Sequence, residues 1–239
     1  MKPARIIVLI ASLVAGVALW DWPIFLPFKL LAVMGHETGH ALAALVVGGS
    51  VDRVSLGLDQ GGQCLSMIPD GFFAKVIVYS AGYVGSAIIA VVLLLASFRF
   101  DFRRPMLGLA CAWLTLMGLF YARDAFTLAF AVVMAVAFAV SAKWLPRELV
   151  GGLNLFIASF TALYAVMDLK DDLWNSAVRS QTDAQLLANL TVVPALVWAA
   201  VWTVVSIVIL FAGAWLALKD GGPKLTPRVG ARVTSPLAR

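Results

Sequence analysis

Long apolar runs, separated by short polar or proline-containing stretches, cover most of this chain. The runs lie near residues 5–20, 23–48, 72–98, 105–122, 125–142, 149–168 and 190–218. A helix needs about 20 apolar residues to cross the hydrocarbon core of a bilayer, and these runs approach or exceed that length. The pattern therefore predicts an all-α polytopic membrane protein with six to seven transmembrane helices.

The segment between the second and third runs has a different period. Residues 51–67 alternate between apolar and polar side chains around Val54, Leu56 and Leu58, and then turn at Gly61-Gly62. Alternation of this kind, followed by a glycine-rich turn, predicts a small β-hairpin. The alternative is an exposed loop that contains two short strands.

Composition agrees with a membrane environment. Hydrophobic residues make up 62% of the 239 residues and charged residues only 13%, which lies far outside the composition of soluble domains. We expect one integral-membrane domain over residues 1–218 and a basic, disordered cytoplasmic tail over residues 219–239. The net charge of +5 comes largely from short loops and this tail. That distribution suits a membrane surface better than nucleic acid.

Basic residues near the ends of the runs predict the orientation, because Lys and Arg prefer the cytoplasmic side. A cytoplasmic C-terminus also places the basic residues near 99–104 and 143–147 in the cytoplasm, with the 50–71 loop on the opposite side. Seven full crossings would leave Lys2 and Arg5 outside. Either the short first run does not cross the membrane fully, or Lys2 and Arg5 lie outside despite the preference of basic residues for the cytoplasm.

A polar triad interrupts the second apolar run at His36, Glu37 and His40. The two histidines lie one helical turn apart on one face, so both imidazoles can reach one zinc ion. Glu37 is placed to take a proton from water on the metal rather than to bind the metal. These are the only histidines in the chain, and Glu148 is the only other glutamate. A charged residue at membrane depth costs roughly 2.5–3.5 kcal/mol, which favours a zinc hydrolase over two buried, hydrogen-bonded histidines.

A zinc ion in a hydrolase normally has three protein ligands and one position for water. Since no further histidine exists, the third ligand is expected to be a carboxylate, and Asp168, the deepest acid of the sixth run, is the first choice. Asp171 and Asp172 lie on nearly the same helical face and are alternatives, either as ligands or as partners of a histidine's second nitrogen. Asp168 could instead be an interfacial acid balanced by Lys170. Asp70 is predicted to lie in a Pro-Asp-Gly turn.

Other motifs predict structure rather than chemistry. Gly82 begins a small-xxx-small pattern, which is typical of closely packed membrane helices. Thr182-Asp183 is predicted to open a short helix as an N-cap. Cys64 and Cys111 are far apart and form no CxxC pair, so we expect packing residues rather than a disulfide or a cysteine zinc site.

With these motifs in this order, the chain resembles the site-2 protease family of intramembrane zinc metalloproteases, and more closely its compact peptidase family fifty B-like branch. The segments that carry the resemblance are HETGHALAAL at 36–45, Gly-Gly at 61–62, SAGYVGSA at 80–87, YAVMDLKDDL at 164–173 and SQTDAQLLA at 180–188. The resemblance implies that His36 and His40 bind one Zn²⁺ ion, that Glu37 is the catalytic base, and that the region of Asp168 supplies the third ligand.

These features together predict an intramembrane zinc metalloprotease that hydrolyses peptide bonds of membrane-anchored substrates, as in regulated intramembrane proteolysis. The expected location is a bacterial inner (plasma) membrane, and the oligomeric state is left open. The main alternative is a non-proteolytic membrane protein that binds a divalent metal for transport or structure, and a second is a scaffold for other spans. A transporter has no need of Glu37, which favours hydrolysis.

Overall fold

A computed structural model describes residues 3–20, 22–174 and 182–219 of the chain. Within these ranges it contains α-helices, one short 3-10 turn and two strands. Their bounds are α1 Pro3–Ala18, the 3-10 turn Pro23–Phe25, α2 Leu26–Val46, β1 Ser50–Leu56, β2 Gly62–Met67, α3 Phe72–Phe98, α4 Arg103–Phe120, α5 Ala125–Trp144, α6 Arg147–Trp174, α7 Asp183–Thr191 and α8 Ala195–Leu218.

The predicted all-α architecture with a hairpin between the second and third helices is confirmed. The main difference concerns the last predicted run, 190–218, which is divided between α7 and α8. Val192 ends α7 in the left-handed conformation at φ 61°, and Pro194 is the N-cap of α8. Proline lacks the N–H that a continuous helix would need, so the chain turns between these residues.

Four of the described helices, α3, α5, α6 and α8, are long and apolar enough to cross a membrane. A fifth candidate results if α1 and α2, which meet at 119°, form one broken span. α2 has a lower hydropathy because it carries His36, Glu37 and His40, and α4 because it begins with Arg103-Arg104. The number of six to seven crossings stays a prediction.

α2 is enclosed by α3, α6 and the hairpin, and most of its side chains are buried. Glycines set the close approach of α2 and α3: a Cβ on Gly39 would overlap the carbonyl oxygen of Ala81, and one on Gly85 would lie 3.3 Å from the Cα of Gly39. Small residues let membrane helices pack backbone against backbone. The predicted packing role of the small residues in α3 is therefore confirmed.

The hairpin folds back along α2 toward its N-terminal end. At its base, the backbone N–H of Gly49 donates to the carbonyl of Ala44 near the end of α2, at 2.8 Å. At its tip, the ammonium of Lys29 in the first turn of α2 donates to the Gln60 side chain at 2.9 Å. The hairpin therefore lies beside most of the length of the helix that carries the histidines.

One edge of the hairpin is covered and the other is open. Along the outer edge of β1, Val54 N–H donates to the carbonyl of Tyr121 at 2.9 Å, and Leu56 N–H donates to the hydroxyl of Thr127 at 2.8 Å. β2 pairs with β1 on one side, and on its other side no strand of the described ranges pairs with it. β2 is therefore the free edge of this small sheet.

The short helix α7 is held by a small core of its own. Ala184 and Leu187 on α7 pack against Tyr83 on α3 and against Trp202 on α8, and all four side chains are buried. This cluster is separate from the larger core around α2. The position of α7, and of the residue at its start, depends on these contacts.

Candidate metal centre

His36, His40 and Asp183 meet inside the protein. The spacing of four residues places both imidazoles on one face of α2, where their Nε2 atoms lie 3.0 Å apart. Asp183, the first residue of α7, brings Oδ2 to 3.3 Å from Nε2 of His36 and to 3.0 Å from Nε2 of His40. All three residues offer an atom that can bind a metal ion.

The separations among these three atoms fit a bound zinc ion. Bonds of about 2.0–2.1 Å to a tetrahedral ion hold its ligand atoms about 3.3 Å apart, close to the 3.0–3.3 Å observed. Two imidazole nitrogens and a carboxylate oxygen are electron-rich, and burying them in contact requires a proton or a cation between them. The donor set, two nitrogens and one oxygen, is one that zinc hydrolases use.

A backbone carbonyl sets the orientation of one imidazole. Nδ1 of His40 lies 2.7 Å from the carbonyl oxygen of Val78, and since a carbonyl only accepts, Nδ1 is the donor. The lone pair of the neutral ring is therefore on Nε2, which points at the cluster. Metal-binding histidines are commonly fixed by such a second contact. For Nδ1 of His36, which is buried, no partner is found among the described residues.

Gly82 leaves the space that the two imidazoles occupy. A Cβ at this position would lie less than 3.0 Å from Nε2 of both His36 and His40, a separation that real Cβ atoms do not adopt. The neighbouring Tyr83 packs edge-on against the His36 ring, with 4.7 Å between centroids, and stacks on Trp202 at 5.1 Å. One turn of α3 thus leaves room for both imidazoles at Gly82 and packs against the His36 ring through Tyr83.

Glu37 lies beside the cluster and against the hairpin. It is buried, and the backbone N–H of Cys64 on β2 donates a hydrogen bond to its carboxylate. A Cβ on Gly62 would overlap the Glu37 side chain, so the glycine predicted as part of the hairpin turn is what allows β2 to come this close. The acid next to the two histidines is therefore in contact with the free strand.

A partly enclosed pocket of about 300 Å³ opens over these residues. Its walls come from α2, β2, α3, α6 and α7, and they combine polar and apolar surface. Three of the four tyrosines of the chain line it, namely Tyr79, Tyr83 and Tyr164.

Both cysteines are free, and one of them lines the pocket. Burial raises the pKa of the Cys64 thiol to about 12, and the carboxylates of Glu37 and Asp183 act in the same direction. The thiol of Cys64 is therefore protonated at neutral pH, and Cys64 contributes a small uncharged side chain to the wall of the pocket. Cys111 lies on α4 and packs against the main core.

Of the other four acids considered from the sequence, only Asp70 has a described side chain. The backbone of Asp168, Asp171 and Asp172 belongs to α6, but their side chains lie outside the described residues, so that prediction stays a prediction. Asp70 is exposed and pairs with Lys75, whose ammonium lowers the pKa of the Asp70 carboxyl. This position agrees with the predicted turn and keeps Asp70 out of the pocket.

Asp183 was not predicted to be a ligand. The N-cap itself is confirmed, because the hydroxyl of Thr182 accepts from the backbone N–H of Gln185 at 3.3 Å. An acid in the first turn of a helix is ordinary, since it complements the helix dipole. The one hint in the sequence was that the segment 180–188 takes part in the family resemblance.

The comparisons with known proteins agree with this geometry. A family model described as Peptidase M50B-like matches residues 9–213, a range that includes α2, the hairpin and α7. No curated protein and no solved structure gives a significant match. Because the match covers most of the chain, and apolar helices of membrane-spanning length accompany it, the protein belongs to the peptidase M50B-like family and is an integral membrane protein of this metallopeptidase family.

Proposed function

We propose that the protein is a zinc metallopeptidase that cleaves membrane-anchored substrates, with His36, His40 and Asp183 as the ligands of one Zn²⁺ ion. The observation that carries the proposal is the convergence of three ligand atoms from α2 and α7, directly beside the carboxylate of Glu37. We assign the third ligand to Asp183 rather than to Asp168 because one of its oxygens lies within 3.3 Å of both imidazole nitrogens.

A zinc ion held by these residues supplies Lewis acidity, which makes water a better nucleophile and polarises a carbonyl group. Glu37 is the general base: its carboxylate takes the proton of the attacking water and later gives a proton to the leaving amine. The N–H of Cys64 orients that carboxylate. The carbonyl of Val78 keeps His40 in the tautomer that a ligand needs.

The free edge of β2 suggests how a substrate is bound. An extended peptide can pair with an exposed strand through main-chain hydrogen bonds, and β2 lines the pocket next to Glu37. A peptide bond in a helix is shielded from water, so a membrane-anchored segment must unwind before it is cleaved. Pairing with β2 stabilises the unwound form. We expect these substrates to share the membrane of the protease, a bacterial inner membrane.

The alternative, metal binding for transport or structure without hydrolysis, is less favoured. The chain belongs to a peptidase family. A binding site for transport also has no use for a buried carboxylate such as Glu37, which lies beside the metal ligands without being one.

The ligand assignment is tested by zinc affinity, measured by competition with a chelator. We expect Asp183→Asn to weaken binding by at least tenfold, comparable to the loss when a group that supports a metal site is removed. Asp168→Asn, Asp171→Asn and Asp172→Asn are the matched controls and should bind normally. Weak zinc binding by Asp168→Asn together with normal zinc binding by Asp183→Asn would identify Asp168 as the third ligand instead.

The catalytic assignment is tested with Glu37→Gln, which preserves the shape of the side chain but not its basicity. We expect cleavage of an unstructured fluorescent casein to fall by about 10²–10⁴, the usual contribution of a general base, while zinc content is unchanged. Glu148→Gln, the only other glutamate of the chain, is the control and should cleave normally. Cleavage by Glu37→Gln at the wild-type rate would exclude this mechanism.

A further inference from the structure

A buried lysine near the start of α2 has no part in the metal chemistry. Lys29 lies in the first turn of this helix and is only 5% exposed. Lysines near the ends of membrane helices usually extend toward water, yet its ammonium donates to Oε1 of Gln60 at 2.9 Å and lies 4.5 Å from the ring centre of Trp20. A buried charge in an apolar helix is costly, which points to a function for this contact.

The partner of Lys29 is at the tip of the hairpin, in a constrained conformation. Gln60 has a φ of 70°, in the left-handed region that residues other than glycine rarely adopt. Its backbone N–H donates to the carbonyl of Gly57 at 3.2 Å, which closes the turn. The backbone thus presents the Gln60 side chain in one direction, toward α2.

The same face of α2 carries both the lysine and the catalytic glutamate. Lys29, Val33 and Glu37 follow each other at intervals of four residues and therefore lie in a row along the helix. Gly62 of β2 is in close contact with both Val33 and Glu37. The hairpin is consequently held at its tip by Lys29 two turns before the point where β2 meets Glu37.

We propose that Lys29 is a positioning residue that fixes the hairpin tip through Gln60 and so sets the place of the β2 edge over Glu37. This proposal rests on the proposed hydrolytic function, because its consequence is the alignment of a β2-bound peptide with the general base. Without the contact, the tip moves away from α2 and β2 no longer stays seated over Glu37. The metal ligands, which come from α2 and α7, are not affected.

The position of the hairpin can be measured without any substrate. Cys64 lies on β2 beside Glu37, and in a Cys111→Ser background it is the only thiol of the chain. We expect Lys29→Met to raise the rate of maleimide labelling at Cys64 by about tenfold, as for the loss of a hydrogen bond to a charged group. Methionine keeps the length of the side chain and suits an apolar helix, so the variant should fold.

Variants of Gln60 test whether the effect of Lys29→Met comes from the loss of its hydrogen bond to Gln60. Gln60→Ala should also label faster than wild type, and the double variant no faster than Lys29→Met, because both changes remove the same hydrogen bond. Gln60→Glu keeps an acceptor for the ammonium and should label at the wild-type rate. Lys143→Met is the matched control, since Lys143 also lies over a tryptophan ring, that of Trp144.

Casein cleavage and zinc content complete the test. We expect Lys29→Met to lower kcat/KM for fluorescent casein by about tenfold while zinc remains at one ion per chain. Labelling and cleavage at wild-type rates in Lys29→Met, or zinc loss in that variant, would overturn the positioning role. If the wild-type protein neither binds zinc nor cleaves, the hydrolytic function fails instead, and the labelling rates still decide whether Lys29 holds the hairpin.

Discussion

Replacing Gly82 with alanine adds a methyl group in the space beside His36 and His40, the two histidines that we propose as zinc ligands. Its carbon would lie 2.3 Å from Nε2 of His36 and 2.4 Å from Nε2 of His40, whereas carbon and nitrogen atoms in van der Waals contact are about 3.5 Å apart. Each imidazole must therefore move by about 1 Å. Metal–ligand distances tolerate deviations of only about 0.2 Å, so the two rings cannot bind zinc together in Gly82→Ala.

We expect zinc affinity to fall by at least about 100-fold in Gly82→Ala, which corresponds to about 2.7 kcal/mol. Competition with a fluorescent chelator measures this directly. Without metal, the cost of displacing two packed imidazoles, about 1–3 kcal/mol, is only partly offset by the helix propensity of alanine, about 1 kcal/mol better than glycine, so the variant should fold with a slightly lower Tm than wild type. Gly85→Ala is the control: its Cβ would lie 3.3 Å from Gly39, a gap that small shifts can widen, so it should bind zinc nearly normally. Wild-type zinc affinity in Gly82→Ala would refute the proposed site.

Two further predictions concern α7, which carries Asp183. Leu187→Ala empties a fully buried position between α7, α3 and α8; a loss of about 2–5 kcal/mol is usual for such a change, and we expect weaker zinc binding together with a lower Tm. Normal zinc binding in this variant would show that α7 does not depend on that core. Val192→Gly should raise the Tm, because Val192 has a φ of 61° and a side chain costs about 1–2 kcal/mol in this conformation. Val197→Gly, in the first turns of α8, should have the opposite effect, and equal shifts in both variants would contradict the strain at Val192.

The elements of the fold could be predicted because membrane helices depend on local composition. A run such as 72–98 has to form a helix, since its backbone groups find no water inside the bilayer, and the structure has α3 at the same residues. The hairpin was equally local, in its alternation and its Gly61-Gly62 turn. The predicted run 190–218 was too long, because it did not take account of the helix end at Val192 and of Pro194 before α8.

His36, Glu37 and His40 could be recognised from the sequence for a related reason. Four residues make about one helical turn, so spacing alone places the two histidines together, and three polar side chains in an apolar run require an explanation. Gly82 was expected only to bring two helices together. Its contact with the imidazoles depends on how α3 is placed against α2, which no local pattern contains.

The sequence by itself determined the membrane helices, the hairpin and the pairing of His36 with His40 on one face of α2, because each of these depends on neighbours within a few residues. Only the tertiary structure brought Asp183 to the histidines, more than 140 residues away along the chain. The contact between Asp183 and the histidines depends on the packing of α7 against Tyr83 and Trp202. The contact of Lys29 with the hairpin tip likewise exists only once β1 and β2 fold back along α2.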